Sequence, residues 1–590
     1  MFATLTTATI SPIHFCSWRM LRSYLQARPR ATSAIQKAAG FGGASYIGLS
    51  LSSAPIRIEG SKSSAPMRIE GSKSNATMAA QEAHDVANES AGGQKAMLAS
   101  QRAKEQPQDQ QPGTISRWFP LSFSDGCAQW WQAHSPMTTE HRVLSFIPHL
   151  QQPPTHTDTS AAETAPSAPP KSPEAHTTTD SATDPYGPRR WNSQMVELSG
   201  KGRALNEFSI ERLGEDVDDN LIILHGFGAG LGFFYRNFEA LSRAEGWKVY
   251  ALDLLGMGRS SRPNFKIHAK DKQGKIDESE SWFIDALEEW RVKRGIENFT
   301  LLGHSLGGYL AVAYALKYPG HLNKLILASP VGIPEDPYAV SEEMPDPQDS
   351  TMVNEFTQDA SEVQNGVKPS TADNNNFMNQ RKKKENAPAK DPLRRRLPSW
   401  LYYLWEANVV SPFTFVRWSG PLGPRLVSGW TSRRFSMLPE EEAQALHDYS
   451  YALFRQRGSS EYALAYLLAP GAFARSPLIR RIQGVGRQHR KTPIATSADA
   501  PQSGPRENGI PIVFMYGEND WMDVAGGYAA QEKIKQERAL LSAEEKKKDQ
   551  GDAKVIIINK AGHHVYLDGW EQFNKVMLEE MEDVKRRRST

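Results

Sequence analysis

Short runs of apolar residues recur between residues 221 and 558, and most are separated by segments of helical length. Continuous apolar runs of this size are typical of strands that are buried on both faces of a parallel sheet. The pattern therefore predicts an α/β fold, in which helices cover both faces of a mostly parallel sheet. The runs are Leu221–Leu224, Val249–Leu252, Thr300–Leu302, Leu325–Ala328, Ile512–Tyr516 and Val555–Ile558.

A segment rich in Trp, Tyr, Phe and Leu, residues 397–483, separates the fourth run from the fifth. Its apolar residues recur at helical spacings. We expect this segment to be a helical cap over the carboxyl edge of the sheet, where α/β folds bind their ligands.

Composition divides the rest of the chain. Apolar patterning predicts a folded core in two parts, residues 189–335 and 510–585. Polar and low-complexity stretches predict disorder at 59–114 and 336–396 and linkers at 151–188 and 484–509, while a Trp-rich helical segment is expected at 115–150.

The amino-terminal residues 1–58 contain six Lys and Arg residues and no Asp or Glu. Bulky apolar residues and many hydroxyl residues lie among the basic ones, a composition typical of a mitochondrial transit peptide. A disordered basic tail is the alternative, and it would leave the protein in the cytosol or on a lipid-droplet surface.

Charge and cysteine content exclude several functional classes. The 69 Lys and Arg residues nearly balance the 67 Asp and Glu residues, which argues against a nucleic-acid partner. The two cysteines, Cys16 and Cys127, argue against a disulfide scaffold or a cysteine metal site. We expect neither a metal ion nor a cofactor.

The strongest chemical signal is the segment GHSLGG at residues 303–308. It follows a predicted strand and precedes a helix-like segment, which is the context that a nucleophile elbow requires. The motif predicts Ser305 as a nucleophile on a sharp strand-to-helix turn.

A serine hydroxyl needs a base, and the base needs an orienting acid. His563 follows the last predicted strand within AGHH and is the predicted base; the adjacent His564 is the less favoured candidate. Asp520 lies just after the fifth strand and is the predicted acid, with Asp523 as the alternative. The chain order Ser305, Asp520, His563 is the one expected for an α/β hydrolase.

Backbone amides must stabilise the oxyanion that forms when the serine attacks. The segment HGFGAG at 225–230 follows the first predicted strand, and we assign the amides of Phe227 and Leu306. A nucleotide-binding glycine loop is the alternative, but its characteristic spacing is missing. Residues 253–263 are interpreted as a structural loop, with a phosphate contact from Arg259 or Arg262 as the alternative.

The chain resembles the α/β-hydrolase-domain subfamily that includes human comparative-gene-identification protein 58 and the yeast cardiolipin-specific deacylase. The resemblance covers about residues 115–150 and 190–583. Its matching segments are HGFGAGLGFFYRNFEAL (225–241), LDLLGMGRSSRP (252–263), GHSLGGYLAVAYALKYP (303–319), LASPVGIPEDP (327–337), SGPLGPRLV (419–427) and AGHHVYLD (561–568).

This resemblance implies lipid chemistry, namely deacylation of phospholipids or lysophospholipids, with cardiolipin favoured for a mitochondrial member on the matrix side of the inner membrane. Some relatives carry Asn at the nucleophile position, whereas this chain has Ser305. The family's His-x4-Asp pattern, His563 to Asp568, implies lysophosphatidic acid acyltransferase activity as an alternative. A catalytically silent adaptor on a lipid surface is the third hypothesis.

Two further expectations concern residues outside the triad. Asp568 precedes Gly-Trp-Glu571, a pattern that predicts a helix N-cap with a capping-box glutamate. A peripheral membrane contact is predicted for aromatic residues that could alternatively pack against the cap or core, namely Trp118, Phe119, Trp130 and Trp131.

Overall fold

A nine-stranded sheet lies at the centre of the computed structural model, which describes residues 120–150, 152–156, 174–335, 408, 411–469, 472–490 and 504–589. Its strands are β1 (Glu174–Thr179), β2 (Arg189–Glu197), β3 (Ala204–Arg212), β4 (Asp219–Leu224), β5 (Trp247–Leu252), β6 (Phe299–His304), β7 (Leu322–Ala328), β10 (Pro511–Gly517) and β11 (Asp552–Ile558), while β8 (Leu468–Ala469) and β9 (Phe473–Ala474) form a separate pair. The order of the strands in the large sheet is β1-β2-β3-β5-β4-β6-β7-β10-β11.

Helices precede, connect and follow these strands. They are α1 (Phe123–Gln132), α2 (Pro136–Leu144), α3 (Tyr235–Leu241), α4 (Lys272–Lys293), α5 (Leu306–Lys317), α6 (Pro412–Trp418), α7 (Gly423–Arg434), α8 (Glu440–Phe454), α9 (Leu464–Leu467), α10 (Val524–Ala539), α11 (Ala543–Lys548), α12 (Val565–Asp568) and α13 (Trp570–Ser589). In the described part of the chain, no helix has the length and apolar character needed to cross a membrane.

The predicted mostly parallel sheet is confirmed. Strands β5, β4, β6, β7, β10 and β11 run parallel to one another and contain the six predicted apolar runs. Strands β1 to β3 add an antiparallel edge that the apolar pattern did not reveal. Strand β1 lies in the segment predicted as a linker, 151–188, so that prediction is corrected: its polar residues are ordered by backbone pairing with β2.

Both faces of the sheet are buried, as the continuous apolar runs require. In β4, Leu221 and Ile223 contact one hydrophobic cluster, while Ile222 and Leu224 contact the other. Successive strand residues point to opposite faces, so a strand covered on both sides has no position for a solvated side chain.

The cap helices α6 to α8 lie between β7 and β10 in the chain, as predicted, and pack into the same cluster as α2 and the carboxyl-terminal helix α13. Helix α2 packs against α8. The amino-terminal segment is therefore part of the folded unit, and it joins the sheet and the cap on one side.

A buried carboxylate on α2 connects these three parts. Glu140 accepts hydrogen bonds from Arg259 Nη1 at 2.6 Å, from Asn206 Nδ2 at 3.3 Å and from the Tyr449 hydroxyl at 3.1 Å. Glu140 is 1% exposed. Because a buried charge without a partner is costly, this arrangement holds the amino-terminal segment firmly to the sheet and the cap.

We predict that Glu140→Gln lowers the free energy of unfolding by about 3 kcal/mol, because it leaves the Arg259 guanidinium buried without its counter-charge. Chemical denaturation of the full chain measures this. Glu335→Gln is the matched control, since its partner Arg480 is 64% exposed and a solvent-exposed ion pair contributes little to stability. Equal effects of the two substitutions would contradict the prediction.

Candidate active site

Ser305 lies on the turn between β6 and α5 with φ 53° and ψ −115°. A non-glycine residue at positive φ is strained, and such strain persists only where the surroundings fix it. The Ser305 amide donates to the Ala328 carbonyl at 3.0 Å, and the Ser305 carbonyl accepts from the Gly308 and Val331 amides at 3.0 and 3.3 Å. The predicted sharp turn is therefore present and is fixed by β7 and by α5.

The glycines on either side of Ser305 are explained by close backbone contacts. A Cβ atom at Gly303 would lie 2.4 Å from the Gly307 carbonyl oxygen. A Cβ atom at Gly307 would lie 2.7 Å from the His225 carbonyl oxygen. Neither contact can be relieved by moving a flexible side chain, so the turn requires glycine at both positions.

His563 and Asp520, which are 43 residues apart, meet at the carboxyl edge of the sheet. His563 Nδ1 donates to Asp520 Oδ1 at 3.0 Å, and both residues are at most 3% exposed. Burial raises the pKa of the Asp520 carboxyl, but the imidazole and other hydrogen bonds outweigh it, so the net pKa is lowered. With its proton on Nδ1, a neutral His563 has a lone pair on Nε2 to receive a hydroxyl proton.

His563 is tied to the elbow through the residue before the nucleophile. His304 Nε2 donates to the His563 carbonyl at 3.0 Å, and the centroids of the two rings are 4.9 Å apart. The predicted base is thus hydrogen-bonded through its backbone to the residue that precedes the predicted nucleophile.

The alternative candidates occupy other positions. Asp523 is the N-cap of α10, and its carboxylate accepts from the Ala525 amide at 2.8 Å. His564 is buried against the ring of Phe233, with centroids 5.8 Å apart, and burial holds its pKa well below the usual value. The geometry therefore favours Asp520 over Asp523 and His563 over His564.

The predicted oxyanion amides lie on two segments beside Ser305. A Cβ atom at Gly226 would be 3.0 Å from the Ser305 Cβ atom, which places the loop containing Phe227 next to the nucleophile. Leu306 is the first residue of α5, and the first amides of a helix have no acceptor within it. The helix N-terminus adds partial positive charge at the same place.

His225 holds this loop in position, a role that motif reasoning missed. Its Nδ1 donates to the Gly226 carbonyl at 2.7 Å, while its Nε2 accepts from the Leu254 amide at 3.0 Å. The Nε2 atom can accept only in the neutral ring, and burial lowers the pKa of His225 to about 4. A histidine that directly follows an apolar strand and precedes a glycine was the available sequence signal.

The predicted helix N-cap at Asp568 is wrong. Asp568 is the last residue of α12, Gly569 separates it from α13, and its Oδ2 atom accepts from the Gly562 amide at 3.0 Å. This contact stabilises the turn directly before His563. The Asp568 carboxylate therefore makes a tertiary hydrogen bond and does not cap the following helix. Burial raises the pKa of Asp568 to about 6, an effect that the nearby Arg434 opposes.

Aromatic residues from the cap cover the oxyanion loop. Phe227 stacks on Phe413 of α6 with centroids 5.0 Å apart, and Phe413 stacks on Phe454 of α8 at 4.4 Å. An apolar wall of this kind beside the nucleophile suits a hydrocarbon portion of a ligand better than a charged one.

The arginines that were considered as phosphate contacts have structural partners. Arg259 is buried on Glu140, and Arg262 donates to the carbonyls of Gly256 and Gly258 at 2.8 and 3.0 Å. The structural interpretation of residues 253–263 therefore fits the geometry.

The predicted membrane contacts are only partly described. Trp118 and Phe119 lie outside the described residues. On α1, Trp130 is half-buried and Trp131 is 65% exposed. Their function stays a prediction.

The arrangement has the parts needed for nucleophilic acyl transfer: a serine on an elbow, an imidazole with an orienting carboxylate, and amides beside the serine. The catalytic roles stay predictions, whereas the proximity of Asp520 and His563 is a property of the structure.

We predict that Asp520→Asn lowers turnover of a soluble p-nitrophenyl ester by on the order of 10⁴-fold, because the imidazole loses the acceptor that fixes its tautomer. Asp523→Asn is the matched control, because it alters the N-cap of α10 three residues after Asp520. We expect it to change turnover less than tenfold. The reverse order of the two effects would make Asp523 the acid.

Sequence comparison identifies relatives with lipid-related names. The chain is 32% identical over 395 residues to a 1-acylglycerol-3-phosphate O-acyltransferase of Arabidopsis thaliana, covering 66% of this chain and 71% of that protein. It is 30% identical over 363 residues to the human 1-acylglycerol-3-phosphate O-acyltransferase ABHD5, covering 61% and 76%. It is 29% identical over 365 residues to a mouse (lyso)-N-acylphosphatidylethanolamine lipase, covering 61% and 78%.

The resemblance to the subfamily of comparative-gene-identification protein 58 is thus supported at the level of relatives named ABHD5, while no cardiolipin-specific deacylase is among these three.

The family model for the alpha/beta hydrolase fold matches residues 219–569, which is more than half of the chain and includes the elbow, Asp520 and His563. The chain belongs to the α/β-hydrolase family.

Proposed function

We propose that the protein is a serine acyl hydrolase that removes fatty acyl groups from phospholipids or lysophospholipids. The observation that carries this proposal is the hydrogen bond between His563 Nδ1 and Asp520 Oδ1, in the same site as the strained Ser305. A buried, oriented imidazole beside a serine elbow is the arrangement that activates a hydroxyl nucleophile.

The proposed reaction has two halves. In the first, Ser305 Oγ attacks the ester carbonyl, His563 Nε2 takes the hydroxyl proton, and the amides of Phe227 and Leu306 stabilise the oxyanion. The ester C–O bond then breaks, and His563 returns the proton to the departing alcohol. In the second half, His563 activates a water molecule, which releases the fatty acid and regenerates Ser305.

Lipid specificity is supported by two independent observations. The three relatives have names that refer to acylglycerol phosphates or acylated phosphatidylethanolamine. The stacked rings of Phe227, Phe413 and Phe454 provide an apolar surface beside the nucleophile. Cardiolipin is the proposed substrate because the basic residues 1–58 favour a mitochondrial location, on the matrix side of the inner membrane.

Lysophosphatidic acid acyltransferase activity is the second candidate. The names of two relatives favour it, and so does the contact between Asp568 and the turn before His563. In this reaction His563 would take the proton of the acceptor hydroxyl, whose oxygen would attack the thioester carbonyl of acyl-CoA. The C–S bond would then break, and His563 would pass the proton to the departing CoA thiol. A catalytically silent lipid-surface adaptor is the third candidate, and it would need no reaction at Ser305.

We predict that Ser305→Ala abolishes both phospholipid deacylation and labelling by a fluorophosphonate probe, while Asp568→Asn retains most of the deacylation. Fatty acids released from a phospholipid mixture that includes cardiolipin are measured by mass spectrometry, with circular dichroism as the control for folding. If the protein is an acyltransferase, we expect the opposite pattern. Acyl-CoA-dependent transfer would then be retained in Ser305→Ala and lost in Asp568→Asn. If the unmodified protein catalyses neither reaction, the adaptor hypothesis is favoured.

A reporter fused to residues 1–58 tests the proposed location. We expect mitochondrial import, because a basic segment without acidic residues is attracted by the import machinery and the membrane potential. Replacing the six basic residues by Gln in the same fusion is the control, and it should leave the reporter in the cytosol. A cytosolic reporter from the unaltered segment would remove the support for cardiolipin.

A further inference from the structure

His304, the last residue of β6, lies directly before the nucleophile and is buried among other aromatic rings. The centroid of its ring is 4.9 Å from that of His563, 5.1 Å from that of His564 and 4.8 Å from that of Tyr566. His304 is 1% exposed. Because burial of a polar ring is costly without hydrogen bonds, the partners of its two nitrogen atoms indicate what the side chain does.

The Nε2 atom of His304 is a hydrogen-bond donor. It lies 3.0 Å from the His563 carbonyl oxygen, and a carbonyl oxygen can only accept, so Nε2 carries the proton. Burial holds the pKa of His304 well below its usual value, so the ring is neutral and Nδ1 has no proton. The contact with His563 therefore fixes a single tautomer of His304.

The Nδ1 atom of His304 faces the oxyanion loop. A Cβ atom at Gly226 would lie 2.9 Å from this nitrogen and 3.0 Å from the Ser305 Cβ atom. In the part of the chain that the structure describes, Nδ1 has no hydrogen-bond partner. The ring of His304 thus lies between the oxyanion loop and the segment of the base, next to the nucleophile.

The backbone on the two sides of the base is held by different groups. Before the base, the Gly562 amide donates to Asp568 Oδ2 at 3.0 Å. The carbonyl of His563 itself is buried and needs a donor. Among the described residues no backbone amide provides one, and the Nε2–H group of His304 does. The two contacts together hold the backbone on both sides of the His563 side chain.

The position of this backbone determines where the imidazole can reach. The ring of His563 must keep Nδ1 on Asp520 Oδ1, at 3.0 Å, while Nε2 faces the hydroxyl of Ser305. A displacement of about 1 Å in such an arrangement can cost on the order of 10²-fold in rate. A hydrogen bond that limits movement of the His563 carbonyl therefore acts on the chemical step and not on substrate binding.

We propose that His304 is a positioning residue of the site: its Nε2–H group holds the His563 carbonyl, and thereby the imidazole of the base, in place relative to Ser305. His304 exchanges no proton with the substrate. This proposal deepens the proposed function and rests on it for the reaction that is affected. The effect of His304 on the pair of His563 and Asp520 needs no substrate, and it can be measured separately.

Two substitutions with side chains of similar length test the donor. His304→Gln keeps an N–H group that can reach the carbonyl, whereas His304→Met has none, and both remove the ring. For a soluble p-nitrophenyl ester we expect His304→Met to lower kcat by on the order of tenfold or more with KM changed less than about twofold, because only transition-state stabilisation is lost. His304→Gln should recover most of that loss.

Titration with a fluorophosphonate probe counts the competent sites in each preparation, so kcat refers to folded enzyme. If His304 served only to fill space, both variants would lose stability to chemical denaturation, and kcat per competent site would be the same in the two. His304→Leu is a second variant without a donor. It should reproduce the His304→Met result, and it replaces that variant if the methionine protein does not fold.

A measurement without substrate separates this proposal from the proposed function. The proton between His563 Nδ1 and Asp520 should give a far-downfield proton NMR resonance, which Asp520→Asn identifies by removing it. We expect the resonance to persist in His304→Gln and to be broadened or lost in His304→Met. This result would support the positioning role even if the unmodified protein hydrolysed no ester, in which case the proposed function alone would fail.

Three outcomes would overturn the proposal. They are equal kcat values per competent site in His304→Met and His304→Gln, a rise in KM that accounts for the whole loss of activity in His304→Met, and a downfield resonance that is the same in His304→Met as in the unmodified protein.

Discussion

The buried carboxylate of Asp253, at the end of β5, is the constraint on which the arrangement of the site depends. It accepts hydrogen bonds at 2.7 Å from the Leu231 amide, the Arg259 amide and Asn206 Nδ2. A buried carboxylate with fewer donors would cost several kcal/mol. The three bonds therefore fix the end of the oxyanion loop, the loop after β5 and strand β3 relative to one another.

This constraint extends to the cap through the polar groups around it. Asn206 and Arg259 also donate to Glu140, which accepts from Tyr449 on α8. The Tyr449 ring in turn packs against the oxyanion loop, where a Cβ atom at Gly230 would lie 2.4 Å from its hydroxyl oxygen. Sheet, amino-terminal segment and cap thus share one polar network directly behind the oxyanion loop.

The sequence predicted the parts of the site that depend on local geometry. The turn at Ser305 could be identified because the glycines that its backbone contacts require, Gly303 and Gly307, lie two residues on either side of the serine. The antiparallel strand β2 could not, because its Arg189 is fully buried, and one of the two carboxylates that pair with it, Glu239 on α3, lies 50 residues away. The role of Glu140 was missed for the same reason, since its partners lie 66 to 309 residues away.

The chain order of Ser305, Asp520 and His563 has a consequence for synthesis of the protein. A ribosome releases Ser305 and the whole cap before it releases Asp520 and, after a further 43 residues, His563. A nascent chain can therefore form the elbow and the aromatic wall while it still has no base. The site is therefore complete only after β10 and β11 have joined the sheet and the residues that follow them have folded.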